Sequence, residues 1–159
     1  MGAGVIERTF DADLIKSIVK RPDIWATIAP DGKEPDGWEP NLKECWLKVM
    51  HNEQIAGLFN YHVVEPDTLE VHPMILHEYR GTVALDAAKQ SLRWIVENSP
   101  YQVIKCLVPD LFRNVRLFAM QCGFVKTNKK YQIYPKNGKI YDMWELVITR
   151  SDIEAKHYE

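Results

Sequence analysis

The sequence lacks any apolar run approaching the ~20 residues that a helix needs to cross a bilayer. Its N-terminus has no basic stretch followed by an apolar core, so no secretory leader is expected. An excess of one charge is missing too: 20 Lys and Arg stand against 22 Asp and Glu, a formal net charge of −2. No general attraction to nucleic acid or to an anionic membrane is therefore built in, and neither partner is expected. Cysteine is scarce and odd in number. Cys45, Cys106 and Cys122 each lie in an apolar stretch, as buried, reduced thiols of a cytoplasmic protein do. No Cys/His spacing resembles a zinc site and no acidic loop a calcium site, so no metal is expected. Repeats and low-complexity tracts are absent as well, and no second domain is expected.

What remains is ordinary globular material: 159 residues, 46% apolar and 26% charged. That length suits a single domain, 1–159, with a core of its own. Residues 1–4 and the polar stretch 151–159 read as flexible ends.

The organising stretch runs from Thr68 to Asn98. Thr68 to Leu76 is apolar and rich in β-branched residues, long enough for a central strand. His77 to Thr82 form a polar corner. From Val83 the period changes: Ala84, Ala87, Ala88, Ser91, Leu92 and Ile95 share one face of a helix. That face is built of small residues, so the helix axis can lie close to a sheet. The turn sets free backbone N–H groups of Gly81 to Ala84 at a helix N-terminus, where an anion such as phosphate is favoured. Strand–turn–helix units without any anion are also common.

Before this stretch, Val5–Thr9 reads as a strand, and Asp11 caps a helix with Leu14, Ile15, Ile18 and Val19 on one face. Pro22 opens a second short helix to Thr27. Ala29 to Asn41 holds three prolines and two glycines and reads as a long loop, a length often tied to function. Trp38 within it either caps the core or lines a site. Glu44–His51 and Gln54–Val63 form a hairpin about Asn52-Glu53, and Glu65-Pro66-Asp67 leads into the central strand. Beyond the helix, Tyr101–Val108 is an apolar strand, parallel to the Thr68 strand because a helix crosses over between them. Pro109-Asp110 opens another helix that Gly123 stops. Phe124–Tyr134 and Ile140–Thr149 close the chain as a hairpin.

The expected architecture is mixed α/β (α+β): a mostly antiparallel sheet with one central parallel pair and helices on both faces. That order resembles the GNAT superfamily of acyl-CoA-dependent N-acyltransferases. Tyr79-Arg80-Gly81 stands at the start of the central helix, and Ala119-Met120-Gln121-Cys122-Gly123-Phe124 at the end of the next. The likeness spans about Val5 to Thr149, and the particular variant resembles the superfamily's bacteriophage branch. It implies acetyl-CoA as co-substrate, its pantetheine arm lying where two parallel strands splay apart. Pro73 suits such a splay, since proline removes a ladder donor.

The resemblance also implies site residues. Ile75, Leu76, His77, Tyr79, Arg80, Gly81, Thr82, Val83, Ala84 and Phe118 would hold the coenzyme. His72 occupies the place where many members carry a glutamate base, with Glu70 beside it acting through water. The alternatives are a packed His72, a solvent-facing Glu70, and an Arg80 that pairs with Glu78 rather than with phosphate. The acceptor would be an amine, a protein amine among the candidates, on a side offering Trp25, Trp38, Asp31, Glu34 and Asp36. Two places depart from the family's pattern. Val83 and Leu85 replace the small residues of the phosphate loop, and Ala119 stands where a tyrosine usually protonates the leaving thiolate. Two functions therefore follow: N-acetyl transfer in the cytoplasm, the host's if a phage encodes the chain, or a catalytically silent phage assembly module.

Overall fold

The computed structural model describes residues 5–156, apart from the side chains of Gln132 and Lys156. Its elements are β1 (Val5–Arg8), α1 (Ala12–Val19), α2 (Pro22–Ile28), β2 (Cys45–His51), β3 (Gln54–Glu65) and β4 (Thr68–Ile75). There follow α3 (Thr82–Asn98), β5 (Val103–Pro109), α4 (Arg113–Gln121), β6 (Val125–Lys136), β7 (Lys139–Thr149) and α5 (Arg150–Lys156). The seven strands form one sheet in the order β1-β2-β3-β4-β5-β7-β6. Only β4 and β5 are parallel.

Local chemistry fixes the hairpins. Asn52 and Glu53 have φ of 51° and 65°, and Asn137 and Gly138 have 53° and 78°. Two consecutive left-handed residues make the tight turn whose twist matches the strands it joins. The final turn is thus the pair Asn137-Gly138, narrower than the five-residue connection read from the sequence. Along β2 and β4 the side chains alternate between two cores. Leu47, Val49, Leu69, Val71 and Ile75 face α3, α4 and α5, where Ala84, Ala87, Ala88, Leu92 and Ile95 are buried. Trp46, Met74 and Leu76 join Ile15, Ile18, Val19 and Ile24 of α1 and α2 on the opposite face. The small face of α3 does lie against the sheet, as its spacing requires.

Two expectations are corrected. The helix expected from Pro109-Asp110 begins at Arg113, because Pro109 still pairs with Met143 as the last residue of β5. The polar C-terminal stretch is helical as far as Lys156 rather than flexible. Ile153 is buried in the main core, and Arg150 donates to the carbonyls of Val96 (2.6 Å) and Ser99 (2.8 Å) at the end of α3. Those carbonyls have no partner inside the helix, so a guanidinium there satisfies them and suits the helix dipole. Residues 1–4 and 157–159, also read as flexible, lie outside the described residues.

Candidate active-site cleft

The parallel pairing of β4 and β5 is short. It joins Thr68 to Val103, Leu69 to Ile104 and Glu70 to Lys105, and then the strands part. Pro73 lies three residues beyond the last pair, where its missing N–H costs no ladder bond to β5. The parting opens a cleft of about 370 Å3. Its walls include Pro73 and Ile75 of β4, Leu107 and Val108 of β5, Ala84 and Ala88 of α3, and Phe118 and Ala119 of α4.

At one end of the cleft stand Arg80 and Gly81. Gly81 has φ of 99° and serves as the N-cap of α3, a conformation that a side chain would strain. No side chain caps the helix, and no acidic residue lies in its first turn. The leading amides therefore face outward without a protein acceptor among the described residues. Arg80 is exposed. The alternative pairing with Glu78 is not made: Glu78 lies 3.9 Å from Arg21, and Arg80 has no carboxylate partner among the described residues. An uncapped helix N-terminus beside an unpaired guanidinium suits a phosphate group.

His72 also lines the cleft, with 40% of its side chain exposed. Its Nε2 lies 3.0 Å from Glu70 Oε2. Glu70 is nearly buried and faces Lys105 across the sheet. Burial opposes its ionisation, but the hydrogen bond from His72 and the charges of His72, His62 and Lys105 outweigh that, holding the carboxyl below its usual range. A carboxylate only accepts, so Nε2 of His72 donates and Nδ1 keeps its lone pair. His62, opposite Glu70 on β3, stacks on His72 with ring centres 5.4 Å apart and planes 3° from parallel.

Of the residues expected to hold a coenzyme, Ile75, Arg80, Gly81, Ala84 and Phe118 line the cleft. Thr82 and Val83 follow on the first turn of α3, Thr82 exposed and Val83 half-buried, while Leu85 packs on the main core. Leu76 is buried against α1 and α2, and its N–H is spent on Ala56 O (2.9 Å). Tyr79 packs on both cores, edge-on to His51, and His77 is exposed on the 3-10 turn before α3. These three are therefore not part of the cleft wall.

Three of the residues offered for an acceptor, Trp25, Trp38 and Asp31, have other contacts. Trp25, Trp38 and Trp46 form an edge-to-face ladder with 6.2 Å between successive rings, so Trp38 belongs to the packing. Asp31 accepts from the backbone N–H of Gly138 (3.0 Å), which holds its carboxyl below the usual range. Glu34 and Asp36 are exposed. Sequence reasoning missed the contact between His62 and the Glu70–His72 pair. The hairpin gave only part of the signal: it opposes β3 to β4, but His62 reaches Glu70 through a register shift between Val63 and Glu65.

The fold is that of the GNAT acetyltransferases. A spermidine N-acetyltransferase from Vibrio cholerae, in complex with CoA and spermine, superposes with a TM-score of 0.79 at 15% identity, covering 97% of this chain and 99% of that one. A GNAT-family acetyltransferase from Streptococcus pneumoniae gives 0.70 at 12% identity, over 92% and 98%. The chain itself belongs to the family DUF2824, described as a protein of unknown function, which matches residues 9–158. It is also similar to phage proteins: protein gp14 of Salmonella phage P22 is 26% identical over 125 residues, 77% of this chain and 80% of that protein.

Proposed function

We propose that this protein transfers an acetyl group from acetyl-CoA to an amine. The observation that carries the reading is the parting of β4 and β5 after Glu70, which opens the cleft onto the uncapped start of α3 beside Arg80. The pyrophosphate binds the amides of Gly81 to Ala84 and the guanidinium, and the pantetheine arm fills the gap between the strands. His72 takes the proton from the acceptor amine on Nδ1, with Glu70 fixing the ring through Nε2. The amine nitrogen then attacks the thioester carbonyl carbon, the C–S bond breaks, and the thiolate takes a proton from water. Tyr131 of β6, a tyrosine elsewhere in the chain, is not among the residues lining the cleft, and its hydroxyl donates to Glu145 Oε2 at 3.4 Å. A thiolate whose acid has an ordinary pKa of about 8.5 leaves readily without a dedicated acid. The reaction belongs to the cytoplasm of an infected host, where acetyl-CoA is made.

A second reading keeps the fold and drops the chemistry. Ala119 presents no hydroxyl to the cleft, which favours a silent assembly module. Calorimetric titration with acetyl-CoA separates the two, followed by transfer assays on polyamines, lysine peptides and small primary amines. Saturable binding is expected, and His72→Ala should lower the rate by about 10²–10⁴ while leaving acetyl-CoA affinity unchanged. No binding at millimolar acetyl-CoA would exclude the transferase and leave the module. A His72→Ala protein that transfers at full rate would remove His72 from the mechanism.

A further inference from the structure

We propose that His62, Glu70 and His72 form a binding site for a divalent transition-metal ion, zinc above all, at the mouth of the cleft. The register places them together. His62 and Glu70 are directly opposed across β3 and β4, and His72 follows Glu70 by two residues on the same face. One ligand atom from each lies within 4.8 Å of the other two.

A short chain of hydrogen bonds fixes the state of His62. The carboxylate of Glu44 only accepts, so Asn60 turns its Nδ2 donor to Glu44 Oε1 at 3.1 Å. Asn60 Oδ1 is thereby directed at His62 Nδ1, 3.3 Å away. That oxygen also only accepts, so Nδ1 carries the hydrogen. Neutral His62 then points a bare Nε2 lone pair toward Glu70 Oε1, 3.9 Å away. Two acceptors face each other with no donor between them, an arrangement that calls for a positive charge in the gap. A second N–H bonded to a carbonyl oxygen is also the device that orients metal-binding imidazoles.

A proton on His62 would answer that call poorly. His72 already has its own proton toward Glu70, and adding one to His62 would stack a cation on a ring that can itself be charged. A single metal ion serves both acceptors at once and, by displacing to solvent the proton that His72 Nε2 holds toward Glu70, takes that nitrogen as its third ligand. Two imidazoles and a carboxylate leave a fourth position open, and this donor set suits zinc or cobalt over calcium or magnesium. Bonds of about 2.0–2.1 Å require the nitrogens to close in and the parallel rings to turn so that their lone pairs converge. His72 has room for this because it borders the cleft. Lys105, across from Glu70 on β5, is an opposing charge that acts on the carboxylate but not on the nitrogens.

The site does not depend on acetyl transfer, and its test needs no acyl donor. Untagged, metal-free protein is titrated with Co2+ and followed by visible absorption, then with Zn2+ by displacement and calorimetry. The expected result is one equivalent per chain, a strong four-coordinate cobalt spectrum, and displacement by micromolar zinc. His62→Gln and Glu70→Gln should each weaken zinc binding at least tenfold, while circular dichroism shows metal-free protein still folded. Glu44→Gln should weaken binding less, because it frees the Asn60 amide to turn over. Absence of uptake at micromolar metal by the wild type would overturn the proposal. So would unchanged zinc affinity in both folded His62→Gln and folded Glu70→Gln.

Discussion

Removing the Arg80 guanidinium is the cleanest perturbation of the proposed phosphate site. Arg80 is exposed and has no carboxylate partner among the described residues, so Arg80→Ala should change folding stability by no more than about 0.5 kcal/mol. What it removes is a charge-assisted contact to the pyrophosphate, of the class worth about 1.5–3 kcal/mol. That corresponds to a rise in Kd for acetyl-CoA of roughly tenfold to 150-fold. Binding should weaken rather than vanish, because the amides at the start of α3 remain. Arg80→Lys should fall between, keeping the charge but losing the two-pronged geometry. The assay is calorimetry of both variants and wild type at fixed ionic strength, with a thermal melt of each. Equal Kd values for wild type and Arg80→Ala would refute the assignment. A marked fall in Tm of the free variant would show instead that Arg80 holds the fold.

Other outcomes follow from the packing. Arg150→Ala should cost about 1.5–3 kcal/mol in urea unfolding, since it leaves the α3 carbonyls of Val96 and Ser99 without their charged donor; a loss under 0.5 kcal/mol would mean that water replaces it. Burial pushes the Cys106 and Cys122 thiols up to about 12. Native protein at pH 8 should therefore react with a thiol reagent at these two sites roughly a thousandfold more slowly than after denaturation. Rapid native labelling of either would show that the cleft opens to the reagent.

How much of this was legible in the sequence differs by element. The α3 face was plain because six residues at helical spacing are all apolar or small and all prove buried. The splay was visible in one residue, Pro73, whose missing donor suits the end of a ladder. The C-terminal helix was hidden because a single buried residue, Ile153, anchors it, and one apolar position makes no period. Its other anchor, Arg150, bonds to carbonyls some fifty residues earlier, and a charged residue at a strand's end gives no sign of that. The His62–Glu70–His72 cluster was hidden for a different reason. Cross-strand neighbours are set by register: the turn pairs Glu65 with Thr68, which alone would set His62 opposite Val71, and the irregularity between Val63 and Glu65 brings Glu70 there instead. The packing of Tyr79 and Leu76 on the cores was not legible, because a motif gives the path of the backbone and not the direction of each side chain.

The departures from the GNAT pattern bear unequally on binding and on chemistry. Phosphate is held at a helix start mainly by backbone amides, which valine supplies as well as glycine does. Leu85 turns into the core and leaves the N-terminal face of α3 open, while Val83 is only half-buried there. Substitution at these two positions therefore narrows the approach without removing the donors. Ala119 is another matter, because an acid is a side chain and the backbone cannot replace it. Binding should accordingly survive the observed substitutions better than catalysis does. The walls given by Pro73, Ala84, Ala88 and Val108 are apolar, as occupancy by a pantetheine arm would require, and His72 brings a polar group to them. Saturable binding with a rate unmoved by His72→Ala and raised by Ala119→Tyr would place the lost chemistry in the acid. A rate abolished by His72→Ala alone would place the surviving chemistry in the base.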